Sequence, residues 1–278
     1  MSDAYREQTD GKPERMFVDA HIHLDRYPPD ELTSMLERFE DIGGAAVVAV
    51  SMDRLSSVAT RRLALQYPGA VVPAYGFHPE QPPPSAEEAD ALIEWIRQRA
   101  AAGERFAIGE VGLPYYTRHE SVGAGRPFDE APYLRLLERF IALAAELDKP
   151  LVLHAVYEDA DKACDILDRY AVRRVHFHWF KGALATIERM IEAGYCISVT
   201  PDVRYEPEIR ELAGRYPLGL MMSETDGPWP FEGPYAGRDT EPAMVLDVVR
   251  EIARIKKLPF EQVTRQLYDN AAAFYGLS

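Results

Sequence analysis

Two histidines one residue apart, His21 and His23, close an apolar run in the stretch VDAHIHLD. In a strand alternate side chains share a face, so both imidazoles can address one object. Taken alone, such a pair reads first as a hydrogen-bonded couple in a surface loop. The same kinds of side chain recur at the ends of later apolar runs: Glu110 in AIGEVGL, His154 in LVLHA, His178 in VHFHWF and Asp226 in MMSETDGP. Each has an ordinary alternative, His154 as a satisfied core histidine, Glu110 as a buried ion-pair partner, Asp226 as a turn or helix cap before Gly227 and Pro228. Gathered at one place without a cation, the carboxylates would crowd and repel. A pair of divalent ions resolves this, because neutral imidazole and carboxylate suit zinc, manganese and similar metals.

Whether these residues meet depends on the elements that carry them. The runs MFVDAHIH, AAVVAV, AVVPAYG, RFAIGE, PLVLHA, RRVHFH, YCISVT and LGLMMSE are strand candidates, and amphipathic segments alternate with them. In DELTSMLERFEDIG, Leu32, Met35, Leu36 and Phe39 share a helical face; SAEEADALIEWIRQRAAAG opens with the capping-box pair Ser85 and Glu88 and closes at Gly103; YLRLLERFIALAAELD is strongly periodic. Eight strand-helix units in a chain of 278 residues match an α/β fold of the (β/α)8 TIM barrel type in a single domain, with a doubly wound open sheet as the alternative. A barrel places function at the C-terminal ends of its strands, where all six residues would converge on one rim.

Composition narrows the partners. The formal net charge of -14 argues against charge-driven gripping of long nucleic acid, although bound metal ions can supply local positive charge. Cys164 and Cys196 fall in a predicted helix and strand and read as reduced core residues. No segment approaches the run of roughly 20 apolar residues that a membrane span needs, and the polar start has no signal-like apolar core. The expectation is a cytoplasmic protein with no membrane contact and no evident obligate protein partner. Residues 1–15 read as a flexible leader, and 16–278 as the barrel.

The ordered motifs DAHIHLD, GFHPE, IGEVGL, LVLHA, HWFKG and SETDGPW, with a terminal NAAAFYG, run from Phe17 to Gly276. This set resembles the TatD-type metal-dependent deoxyribonucleases of the amidohydrolase superfamily. The resemblance implies a binuclear hydrolase in which His21 and His23 bind one ion with Asp226, His154 and His178 bind the second, and Glu110 bridges them. It implies two divalent ions drawn from Zn, Mn, Mg, Ni or Co, with Asp226 as general base toward metal-activated water. His78 of GFHPE is expected to contact a substrate oxygen or phosphate, with a structural loop histidine as its alternative.

Neighbouring residues carry weaker expectations. His176 and Glu224, each two positions before a ligand candidate, read as supports behind the ligands, with a core role open to His176. Trp179 and Tyr116 could stack on a base or simply pack. His119 lies in RHESVGAGRPF, a polar, glycine-containing stretch expected to form a mobile lid loop. Two positions depart from the family pattern. Pro114 stands where an aspartate is common after the GEIGL motif, and Val156 where an arginine is common after the strand-five histidine. Losing that arginine removes a bidentate phosphate clamp, which Lys181 or Arg204 could replace. The leading expectation is hydrolysis of phosphodiesters at DNA ends. The alternatives are an ester, lactone or amide of a small hydrolysable substrate, and a non-enzymatic metal-binding module.

Overall fold

The computed structural model describes Glu14 and residues 16–277. The expected leader lies outside the described residues except for Glu14, whose carboxylate pairs with Arg265 at 2.8 Å.

All eight β-rich runs become strands: β1 Phe17–Ile22, β2 Gly44–Ala49, β3 Val71–Tyr75, β4 Ala107–Gly112, β5 Leu151–His154, β6 Val175–Phe177, β7 Cys196–Val199 and β8 Met221–Ser223. They pair in parallel, each with the next, in the order β1 to β8. β8 returns to β1 through Ser223 Oγ donating to the Val18 carbonyl at 2.9 Å. Beyond the strand ends, Asp226 N donates to His21 O at 2.9 Å and His23 N to Gly227 O at 2.8 Å. The result is a nearly closed (β/α)8 barrel whose last seam is tied at the rim.

Parallel neighbours require long crossovers, and helices supply them. They are α1 Pro29–Asp41, α2 Arg54–Gln66, α3 Ala86–Ala101, α4 Tyr115–Gly123, α5 Ala131–Leu147, α6 Glu158–Leu167, α7 Leu184–Glu192, α8 Pro207–Arg215, α9 Val245–Lys256 and α10 Phe260–Tyr275. The capping box forms as patterned: Ser85 Oγ accepts from Glu88 N at 3.2 Å and Glu88 Oε2 accepts from Ser85 N at 2.8 Å. The chain then turns out of α3 at Gly103, whose φ of +74° is open to glycine. α1 buries Leu32, Met35 and Phe39, and α5 buries Leu137, Phe140, Ile141 and Ala144. Each large apolar side chain so buried contributes about 1.5–3 kcal/mol.

α10 plugs the end of the barrel opposite the rim. Phe274 and Tyr275 cluster with Val48, Val72, Ala74, Val152 and Met222, and Tyr275 Oη lies 2.7 Å from His176 Nδ1. Both cysteines are free, Cys164 buried in α6 and Cys196 half-buried in β7. Burial pushes their thiols up to about 12 and about 11. No described helix is long and apolar enough to cross a membrane.

One expectation fails here. The stretch from Arg118, read as a lid loop, is helical through Gly123 as the greater part of α4. Its sequence is a poor helix former, and contacts with other elements hold it. Arg118 reaches Asp159 at 2.6 Å and Glu158 at 3.0 Å, both on α6.

Candidate metal centre

β1 presents His21 from its last turn of pleat and His23 just beyond it, and both rings turn to the same two carboxylates. His21 Nε2 lies 3.2 Å from Glu110 Oε2 and 3.4 Å from Asp226 Oδ1. For His23 Nε2 the distances are 3.3 and 3.5 Å. A tetrahedral ion with bonds of about 2.0–2.1 Å has ligand–ligand edges of about 3.3 Å, so these four groups are spaced as one donor shell. On the other side of the same carboxylate, Glu110 Oε1 lies 2.9 Å from His154 Nδ1 and 2.7 Å from His178 Nε2, which are 3.2 Å from each other. Glu110 thus turns one oxygen to each half of the cluster.

Three of these atoms, His21 Nε2, Glu110 Oε2 and Asp226 Oδ1, are buried with no hydrogen-bond partner. An unmet buried polar atom costs about 1–3 kcal/mol, more when charged, and three aimed at one point fit the donor set of a divalent cation. The imidazoles fall into two groups. Burial, with His178 beside it, pushes His21 down to about 4, and burial pushes His78 down to about 3, so both imidazoles are neutral at pH 7. Burial alone would raise Glu110 and Asp226, but the surrounding histidines outweigh it and hold both carboxyls below their ordinary values. Burial opposes the charge on His23 and His154, yet the carboxylates facing them, Glu110 and Asp226 for His23 and Glu110 and Glu80 for His154, bring both up to about 10, with protons that a bound cation would displace.

Behind the cluster stand the supports. Glu224 is fully buried; its Oε1 accepts from Trp179 N at 2.6 Å, and its Oε2 lies 3.8 Å from His178 Nδ1. Burial and the nearby Asp226 push Glu224 well above its usual value. His176 sits one layer deeper, between Tyr275 Oη and Ser198 Oγ, and takes no place among the cluster's donors. Asp19, which sequence reasoning passed over, accepts from Thr225 N at 2.9 Å and Thr225 Oγ1 at 2.5 Å, which locks the segment bearing Asp226 against β1.

The cluster floors a cavity of about 780 Å³. His78 projects into it: its Nδ1 accepts from Glu80 N at 3.1 Å, so the proton sits on Nε2, which lies 3.5 Å from Glu110 Oε1. Val156, Trp179 and Lys181 also line the cavity. Trp179 is anchored by Nε1 donating to Asp202 at 2.7 Å, and Lys181 Nζ stands 4.9 Å over its ring. Arg204 lies elsewhere, paired with Asp247 at 3.2 Å and over Tyr235. His119 pairs with Glu158 at 2.9 Å on the outer side of α4. Tyr116 of α4 does line the cavity, half-exposed.

Among the further lining residues that had no sequence assignment are Arg26, Trp229 and Glu80. Arg26 stands three residues after His23, and Trp229 is 56% exposed beside Trp179 in the SETDGPW motif. Glu80 belongs to GFHPE, but its partners lie 36 and 74 residues downstream, beyond any local pattern.

A (β/α)8 barrel whose strand ends gather buried imidazoles and carboxylates fit for a divalent cation is the architecture of a metal-dependent hydrolase. Residues 18–276 match the family model described as TatD related DNase. An uncharacterized metal-dependent hydrolase of Haemophilus influenzae is 36% identical over 94% of this chain and 100% of its own length. A Danio rerio relative provisionally named a deoxyribonuclease, tatdn3, is 25% identical over 94% of this chain and 97% of its own. In three dimensions the chain is similar to YjjV, a TatD homolog of Escherichia coli, with a TM-score of 0.78 at 24% identity over 95% of this chain and 99% of the other. The chain belongs to the TatD family of metal-dependent hydrolases.

Proposed function

We propose that this protein is a binuclear hydrolase that cleaves phosphodiester bonds at DNA ends. The observation that carries the reading is Glu110, with Oε2 facing His21, His23 and Asp226 and Oε1 facing His154 and His178. His21, His23 and Asp226 would hold one ion, His154 and His178 the other, and Glu110 both. Divalent ions in such a site supply Lewis acidity and bring the pKa of water near neutrality. Asp226, at the cavity floor and ionised, accepts the proton from water and returns it to the leaving group. His78 offers Nε2–H to an oxygen of the substrate. Lys181 and Arg26, on the cavity wall, are the cations available to a phosphate. The names of the family model and of the Danio rerio relative support the nuclease assignment.

One observation favours a second reading, an ester, lactone or amide substrate. Val156 places an apolar side chain in the cavity beside His154 where a guanidinium clamp would serve a phosphate. The test sets end-labelled single-stranded DNA beside a panel of esters, lactones and amides, using protein reconstituted in turn with Zn, Mn, Mg, Ni and Co. Release of terminal nucleotides that stops on chelation is the expected result. Faster turnover of a carbonyl substrate than of any oligonucleotide selects the second reading.

A further inference from the structure

α4 is nine residues long and fully buries no side chain. A helix that short is not stable alone in water, and its N-cap residue, Pro114, has no side-chain acceptor for the exposed N–H groups of the first turn. Those groups are met from another loop. Glu80, on the segment after β3, accepts from Tyr116 N through Oε1 at 2.8 Å and from Thr117 N through Oε2 at 2.7 Å. A carboxylate at a helix N-terminus also opposes the helix dipole favourably.

The same Oε1 lies 3.3 Å from His154 Nε2. A carboxylate oxygen only accepts, and each nitrogen of His154 faces one, Nε2 toward Glu80 and Nδ1 toward Glu110 Oε1 at 2.9 Å; with an ion held between Nδ1 and Glu110, Nδ1 would give its lone pair to that ion and the ring proton would stand on Nε2, donated to Glu80. A carboxylate behind a metal-binding imidazole sets its tautomer and ring angle and raises its basicity. We propose that Glu80 is a positioning residue whose single carboxylate orients His154 for its ion and fastens the first turn of α4, so that the ion site and the cavity wall bearing Tyr116 are set together. This rests on the reading of His154 as a ligand. It also accounts for Pro114: where an aspartate at that position could cap α4 by itself, proline leaves the task to Glu80.

The experiment uses the full chain, stripped by chelation and titrated with Co²⁺, with two readouts besides activity. These are the Co²⁺ dissociation constant with its visible spectrum, and amide exchange over residues 115–123. Glu80→Ala is expected to speed exchange about 3- to 30-fold, the factor that loss of an N-cap produces. It should also weaken Co²⁺ binding about 10- to 100-fold and alter the spectrum. Adding Pro114→Asp to Glu80→Ala restores the slow exchange of α4 but leaves Co²⁺ binding weak. Glu80→Gln, of equal volume with one acceptor oxygen fewer, falls between wild type and Glu80→Ala on both readouts. The proposal is overturned if Glu80→Ala binds Co²⁺ with wild-type affinity and spectrum. It is equally overturned if the double variant recovers metal affinity along with the helix, since Glu80 would then be a cap alone. His154→Ala separates the two levels: unchanged Co²⁺ binding by that variant removes the ligand reading itself, and the proposal with it.

Discussion

At the scale of single residues, the proposed reading gives Glu110 and Asp226 different work. Each oxygen of Glu110 serves a different half of the cluster, so Glu110→Ala should lower bound divalent metal below that of any single-histidine variant. Elemental analysis of metal-loaded protein, expected near two ions per wild-type chain, measures it; full occupancy in Glu110→Ala would contradict the bridging role. Asp226→Asn keeps the side-chain shape but not the basicity. It should retain the fold and at least one ion while turnover falls about 10²- to 10⁴-fold, the usual worth of a positioned general base. Steady-state kinetics within a few-fold of wild type would assign the proton transfer to another group.

At the scale of elements, the barrel is held by ties between segments far apart in the chain. Asp19 joins β1 to the segment after β8, Arg118 holds α4 to α6, and Tyr275 carries α10 into contact with His176. The last tie lies beneath the cluster and uses none of its donors. Tyr275→Ala removes a fully buried aromatic plug and leaves His176 Nδ1 without its partner, so it should destabilise the fold by about 3–5 kcal/mol. Denaturant unfolding reads the loss, while metal content per folded chain should stay unchanged because His176 is not among the cluster's donors. A variant that unfolds as wild type does would show that α10 closes the barrel without stabilising it.

At the scale of the whole molecule, a net charge of -14 faces a cavity with two cationic side chains, Arg26 and Lys181. If DNA is the substrate, its binding should require the metals and depend weakly on salt. A log–log slope of about -1 to -2 corresponds to one or two neutralised phosphates. Val156 already lines the cavity, so Val156→Arg can reach a phosphate without disturbing the ligands. It should raise kcat/KM on an oligonucleotide about tenfold, leave metal content unchanged and give no gain on a neutral ester. No gain on DNA, together with a faster carbonyl substrate in the wild type, would assign the site of this chain to different chemistry.

The barrel was legible in the sequence because its information is local. β-branched runs of four to eight residues alternate with helical periodicity, and the eight strands and the Ser85 cap follow from patterns within a few positions. The six clustered residues were legible for the same reason, since each stands at or just past the end of such a run and a parallel barrel brings all strand ends to one rim. What tertiary structure alone decided lies in contacts that no local pattern encodes. Glu80 meets partners 36 and 74 residues away, α4 is helical because Glu80 and α6 hold it, and Arg26 lines the cavity while Arg204 turns aside to Asp247. Backbone periodicity fixes where a strand ends. Which loop side chain fills the space above it depends on how segments distant in sequence pack, and only the folded chain makes that choice.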